Sequence, residues 1–191
     1  ALYLACARGY HSLIQLLIIA GASVHAAESS QGMTCLHTAS TVAVVRLLAE
    51  ANADLSKVKN SKGSVLEWYA INNHVDLLHE LLHLKANVDQ TRKDDGTTAL
   101  YMAAYKGHIA AVSQLLQAKA SSNLRKGFSA GTSPLDIARK NGHGAVVELL
   151  VAAHDAEAAD HSGCRSQLTA IQKSFSGRRR RHGTNNETRA Q

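Results

Sequence analysis

Three observations predict an all-α solenoid built from stacked helix pairs. Leucines at 2, 36, 66, 100 and 135 head five similar stretches and stand 34, 30, 34 and 35 residues apart. Self-similarity at such a period marks a repeat array, in which no unit buries its apolar face alone and stacked units share one core. Behind each leucine, paired apolar residues recur at helical spacing, which sets one buried stripe. The composition agrees: of 191 residues, 45% are hydrophobic, only 4% are aromatic and one is proline, with alanine and leucine dominant. Such a chain favours helices packed closely on small side chains over a sandwich or barrel.

The repeats lie near 1–27, 28–57, 58–91, 92–126 and 127–154. A first helix is expected after each of Thr34, Ser64, Thr98 and Ser133, whose side chains can accept from free backbone N–H groups. Small residues follow (Ala5, Ala39, Ala70, Ala103, Ala104, Ala138), letting a neighbouring helix come close. Gly9, Gly107 and Gly142 then end that helix, where a left-handed turn costs glycine little. The second helix carries the stripe: Leu13/Ile14 with Leu17/Ile18, Val44/Val45 with Leu48, Leu77/Leu78 with Leu81/Leu82, Val112 with Leu115/Leu116, and Val146/Val147 with Leu150/Val151.

The stretches "TTALYMAAYKGH" (97–108), "TSPLDIARKNGH" (132–143) and "MTCLHTA" (33–39) resemble the ankyrin repeat, with its period of about 33 and its T-P-L-H-x-A signature. The resemblance covers about residues 1–154 and implies an ankyrin-repeat solenoid of helix–turn–helix units joined by short β-hairpins or loops. Its departures carry expectations of their own. The second repeat is about three residues short between Ala39 and Val44, so its inter-helix turn tightens or one helix shortens. Trp68 and Tyr69 put bulk where the family prefers Leu and Ala, so the third repeat is expected to pack loosely or bulge. After the second helix only Gly21 matches the family's glycine; Asn52 tolerates a left-handed turn, whereas Lys85 and Lys119 would each cost about 1 kcal/mol there. Ala1 falls at the Pro of T-P-L-H, and the chain reads as a fragment or as the end of a longer array.

The resemblance implies a non-catalytic binding scaffold whose partner, a protein, sits on a concave face made of hairpin tips and the ends of the first helices. Carried over position by position, that face comprises Ser30, Gln31 and Met33; Asn60, Ser61, Ile71 and Asn72; Asp94, Asp95, Thr97, Tyr105 and Lys106; and Ser129, Thr132, Lys140 and Asn141. Tyr105 is the strongest single anchor, because an exposed aromatic binds well.

"HELLH" (79–83) has the H-E-x-x-H spacing that puts two imidazoles on one helical face with a glutamate as general base, the pattern of a zinc hydrolase. A third protein ligand is needed, and no matching motif follows. In the repeat register His79 aligns with Gln15, Arg46, Ser113 and Glu148, and His83 with Ile19, Glu50, Gln117 and Ala152, mostly polar columns. His79 and His83 therefore read as a solvated outer face, at most an adventitious surface metal site, with Glu80 in a half-exposed slot. His74, His108 and His143 read as structural repeat residues. No nucleophile elbow or phosphate loop is present, so neither a cofactor nor a small-molecule substrate is expected.

Charge is unevenly placed. Residues 1–160 hold 14 Lys+Arg against 14 Asp+Glu, so the whole formal charge of +6 resides in residues 161–191. A small-residue linker is expected at 155–166, a basic amphipathic helix at 167–182 and a disordered end at 183–191. Leu168, Ile171 and Phe175 share one helical face. Ile171, Gln172, Gly177 and Arg181 resemble the IQ motif, which implies binding of calmodulin or a related EF-hand protein, with Phe175 at a common aromatic position and Arg178 among the arginines for acidic rims. Ser176 departs, standing where Lys or Arg is expected. The alternatives are a nuclear-import or nucleic-acid patch at Arg178–Arg181, a helix lying on an acidic membrane surface, or a tail that is only solvated. Three dispersed cysteines (Cys6, Cys35, Cys164) without a C-x-x-C pair fit a reducing compartment, and no apolar run approaches a membrane span. The expected location is cytoplasmic, or nuclear if the arginine run is an import signal, and the expected state is a monomer or part of a longer chain.

Overall fold

The computed structural model describes residues 1–26, 32–56, 63–92, 94–122 and 131–156. The chain divides into two units, Ala1–Val151 and Ala152–Gln191. Of the second, residues 152–156 are described, and they are helical.

The first unit is all-helical among the described residues. Its helices are α1 (Leu2–Arg8), α2 (His11–Ile19), α3 (Val42–Glu50), α4 (Val65–Ile71), α5 (Val75–His83), α6 (Ala99–Lys106), α7 (Ile109–Gln117) and α8 (Pro134–Lys140). A ninth, α9, begins at residue 144. First helices stack in one layer, α4 on α6 on α8, and second helices in another, α2 on α3 on α5 on α7.

Local chemistry starts and stops these short helices. Ser64, Thr98 and Ser133 each accept from a backbone N–H three residues on (3.1, 3.2 and 3.1 Å). Ser133 completes a capping box, since Asp136 Oδ2 accepts in turn from the Ser133 N–H (3.1 Å). Gly107 ends α6 at φ +76°, and a Cβ there would meet the His143 ring at 2.6 Å. Glycine is thus required both for the turn and for the close approach of the next repeat. Asn52, Lys85 and Lys119 also lie at positive φ (60°, 61° and 62°), as does Asn73 (φ 55°), the non-glycine counterpart of Gly107 in the third repeat.

The core is the stripe of the second helices. Ile14, Val45, Leu78 and Val112 occupy one column and are fully buried; Leu48, Leu81, Leu115 and Leu150 form the next at 1% exposure or less. Each such side chain contributes roughly 1.5–3 kcal/mol of apolar burial. Leu13 departs from expectation: it is 45% exposed, although its counterparts Val44, Leu77, Ala111 and Val146 are buried.

Two expectations are corrected in the second and third repeats. Thr34 starts no helix, for residues 35–38 are turns and the repeat's one described helix is α3, capped by Thr41 Oγ1 accepting from the Val44 N–H (3.3 Å). The three missing residues leave too little chain to finish a first helix and still reach α3. The third repeat does not bulge either. Tyr69 is fully buried in an unbroken α4, and its hydroxyl donates to the Leu36 carbonyl. The large side chain takes up room that a complete first helix in the second repeat would need.

The described connections between repeats are turns. The one at 92–97 comes nearest to a hairpin: the Arg92 N–H donates to the Thr97 carbonyl (2.8 Å) and the Gly96 N–H to the Arg92 carbonyl (2.9 Å).

Candidate functional site

The ends of the first helices form a ladder in which the second, fourth and fifth repeats each grip the one before. His108 Nε2–H donates to the Ile71 carbonyl (2.9 Å). His143 Nε2–H and Asn141 Nδ2–H both donate to the Tyr105 carbonyl (3.0 and 2.9 Å). In the shortened second repeat the Ser40 hydroxyl takes this part, donating to the Cys6 carbonyl (3.2 Å). A carbonyl oxygen only accepts, so the two imidazoles carry their protons on Nε2. The backbone beneath Tyr105 is thereby held from the next repeat while the residue stays 42% exposed, with Lys106 Nζ 5.7 Å from the ring centroid. Asn72, Lys106, Lys140 and Asn141 are exposed on the same helix ends, and Ile71 is half-buried.

The other residues expected on this face divide into three groups. Asp94 is exposed, and Asp95 and Thr132 are half-buried. Met33 and Thr97 are corrections: Met33 is 9% exposed and accepts from the Tyr3 hydroxyl through Sδ (4.0 Å), and Thr97 is 1% exposed. Both serve contacts between or within repeats and present no free surface. Ser30, Gln31, Asn60, Ser61 and Ser129 lie outside the described residues, as do Leu168, Ile171, Gln172, Phe175, Gly177, Arg178 and Arg181 of the IQ-like segment.

Beneath the ladder runs a column of polar groups that sequence reasoning missed. The residue after each anchor leucine is polar (Tyr3, His37, Glu67, Tyr101, Asp136), and Tyr3, His37 and Glu67 reach toward the following repeat, whereas Asp136 turns back to Ser133 in the capping box of α8. His37 Nδ1 accepts from the Thr34 N–H (3.1 Å) and lies 2.9 Å from Thr34 Oγ1, and the ring bonds to the Gly63 backbone. Burial pushes its pKa down to about 4, outweighing the opposite pull of the Gly63 bond. Glu67, 1% exposed, pairs with Arg92, which also stands 3.9 Å from Asp95. Thr97 Oγ1 lies 2.7 Å from Asp95 Oδ1 and 3.4 Å from Glu67 Oε1, closing the group. Burial raises the Glu67 pKa, and Arg92 pulls it back in part. The available signal was positional: a polar residue in all five repeats at one slot behind a buried leucine.

Glu80 is a further correction. It is 5% exposed rather than half-exposed, and Arg46 of α3 holds it through two bonds of 2.7 and 2.9 Å. Those bonds lower its pKa. The carboxylate that would act as a general base is committed to a neighbouring repeat, while His79 and His83 stand exposed on α5. Among the described residues no group of three His, Cys, Asp or Glu side chains is placed to hold a metal ion, and no helix is long and apolar enough to cross a membrane.

Helix pairs in two layers, glycine or asparagine turns and histidines bridging successive repeats define an ankyrin-type array. The family model for ankyrin repeats, in three copies, matches residues 66–161, and the chain belongs to that family. It is similar to the ankyrin repeat-containing protein ITN1 of Arabidopsis thaliana, 38% identical over 77 residues covering 40% of this chain, and to the palmitoyltransferase ZDHHC17 of Homo sapiens, 35% identical over 82 residues covering 43%. It also resembles the tyrosine-protein kinase Shark of Drosophila melanogaster, 30% identical over 128 residues covering 65% of this chain. In each case the match spans 13% of the relative's own length.

Proposed function

We propose that this chain is a non-catalytic interaction module that holds a protein partner across the helix-end ridge of Asn72, Tyr105, Lys106, Lys140 and Asn141. The observation that carries the reading is the double anchoring of the Tyr105 carbonyl by Asn141 and His143 beneath an exposed aromatic residue. A pre-organised aromatic loses little freedom on binding, so more of its contact energy appears as affinity. Ankyrin repeats imply protein partners in general, and on this reading the ridge is where this chain meets its own. The test is affinity capture with the wild-type chain, a Tyr105→Ala/Lys106→Ala variant and a His79→Ala/His83→Ala variant of the outer face, all matched for thermal stability. Partners retained by the outer-face variant and lost by the ridge variant support the reading. An identical set from all three sinks it.

We further propose that the segment around 168–181 recruits calmodulin or a related EF-hand protein. Support comes from Ile171, Gln172, Gly177 and Arg181 at motif spacing, with Leu168 and Phe175 on one face. Apolar anchors in a Met-rich groove and arginines on acidic rims would supply the affinity. Calorimetric titration of a peptide covering residues 164–183 with calmodulin, with calcium and with chelator, decides the matter. Binding that is lost in an Ile171→Ala/Phe175→Ala peptide supports it; no binding in either condition removes it and leaves the tail as a charge patch at Arg178–Arg181, for nuclear import or nucleic acid, or as a solvated end. The location that follows from the interaction reading is cytoplasmic, or nuclear if Arg178–Arg181 is an import signal.

A further inference from the structure

In the fifth repeat two donors hold the end of the preceding first helix, Asn141 Nδ2–H and His143 Nε2–H on the Tyr105 carbonyl. In the fourth, His108 Nε2–H holds the Ile71 carbonyl (2.9 Å). The third repeat has the same two residue types in the same slots as the fifth, Asn72 and His74, but the second repeat lacks the helix end they would grip. Asn72 Nδ2–H turns back to the Trp68 carbonyl of its own helix (2.8 Å). His74 is exposed, with its ring edge-on to Tyr69 at a centroid distance of 6.1 Å, and the ring makes no hydrogen bond to a described residue.

Where that helix end is missing, a groove of about 490 Å³ opens between the start of α3 and the start of α5. Ser40 and Thr41 line it from the second repeat, His74 and Asp76 from the third, and the half-buried Val42 and Val75 supply apolar surface. No Lys or Arg lines the groove, and Asp76 pairs with no described cation. The groove therefore offers a donor without an acceptor, a carboxylate without a cation and a strip of valine between them. A free anion would be repelled by Asp76, and an apolar ligand would take water from both polar groups without replacing it. A peptide carries all three complements, since its backbone supplies carbonyls and a Lys or Arg brings an aliphatic stem with its charge.

We propose that this groove is a peptide site. A segment of a protein partner lies between the second and third repeats, presents a backbone carbonyl to the His74 Nε2–H, and sets a basic side chain on Asp76 with its stem along Val42 and Val75. The partner's carbonyl takes the place of the one that Ile71 gives His108 and Tyr105 gives His143. None of the ridge residues around Tyr105 lines the groove, so this site and the ridge stand or fall separately.

The test selects random dodecapeptides, displayed on phage, against the immobilised 191-residue chain. The affinity of the enriched peptides is then measured for the wild-type chain and for His74→Ala, Asp76→Asn and Tyr105→Ala/Lys106→Ala variants, each first compared with wild type by its urea midpoint. Asp76 is exposed, so Asp76→Asn keeps the test decisive should the loss of His74 disturb Tyr69. The expected result is a set of peptides rich in Lys or Arg that bind both groove variants at least tenfold more weakly and the ridge variant unchanged. Peptides that bind the groove variants as tightly as wild type would overturn the proposal, whether or not the ridge variant loses them. So would a selection that enriches no peptide over an unrelated protein. Sedimentation of the free chain as a dimer that Asp76→Asn dissociates would also overturn it, since a second copy would then be the occupant.

Discussion

The Tyr69 hydroxyl donates to the carbonyl of Leu36, one repeat earlier, at the place where the second repeat lacks a helix. That carbonyl also accepts from the Ala39 N–H (3.3 Å), so the next unit supplies its second donor, and the same side chain fills the space that helix would occupy. Tyr69→Phe removes one of the two bonds that carbonyl accepts and leaves the one from the Ala39 N–H (3.3 Å), at an expected cost of about 0.5–1.5 kcal/mol. Tyr69→Ala adds a cavity and costs about 3–5 kcal/mol. Urea midpoints of the two variants measure both, and a larger loss for the phenylalanine than for the alanine would contradict the assignment.

His37 gives the array a pH dependence. Its pKa falls from 6.5 to about 4 on folding, so below pH 6.5 the unfolded chain takes up a proton that the folded chain refuses. The stability it contributes is present above pH 6.5 and is lost as pH falls through 4, with a ceiling on the order of 3 kcal/mol. A pH series of urea midpoints is expected to flatten over this window in His37→Leu. An unchanged slope would contradict it.

The Glu67–Arg92 pair joins the third repeat to the turn of the fourth, with side chains 1% and 19% exposed. Arg92→Ala strands a buried carboxylate and is expected to cost about 3–5 kcal/mol, whereas the double change Glu67→Leu/Arg92→Met recovers most of it. The comparison is made by thermal unfolding. Equal loss in the single and double variants would show that the pair's geometry, rather than the stranded charge, sets the cost.

Lys85 and Lys119 hold left-handed turns after α5 and α7. Lys85→Gly and Lys119→Gly are each expected to stabilise the chain by about 0.5–1 kcal/mol, since glycine enters that region without a Cβ clash. Asn52→Gly is expected to change little, because asparagine visits the region readily. Chemical denaturation of the three variants orders them.

These positions show what could be read from the sequence alone. The anchor leucines, the caps at Ser64, Thr98 and Ser133, and the buried stripes follow local rules of helix start and spacing, so the solenoid and most of its elements were legible. Thr34 obeys the same capping rule and fails, because the deletion before Val44 removes the chain its helix would need. Met33 and Thr97 carry the family position of a binding face, yet burial against Tyr3 and beside Glu67 depends on which side chains stand across the repeat boundary. Glu80 and Glu67 were hidden for that reason too: their partners Arg46 and Arg92 lie 34 and 25 residues away. Tyr105 was legible as an aromatic at a helix end. Its support from Asn141 and His143 was not, since that depends on the stacking distance between α6 and α8.

The helix-end ridge is tested most directly by amide exchange of the 191-residue chain, free and bound to its captured partner. Binding at the ridge is expected to slow exchange around 71–73, 105–108 and 140–143 and to leave the outer faces of α3, α5 and α7 unchanged. Protection confined to those outer faces, with the ridge exchanging as in the free chain, would contradict it.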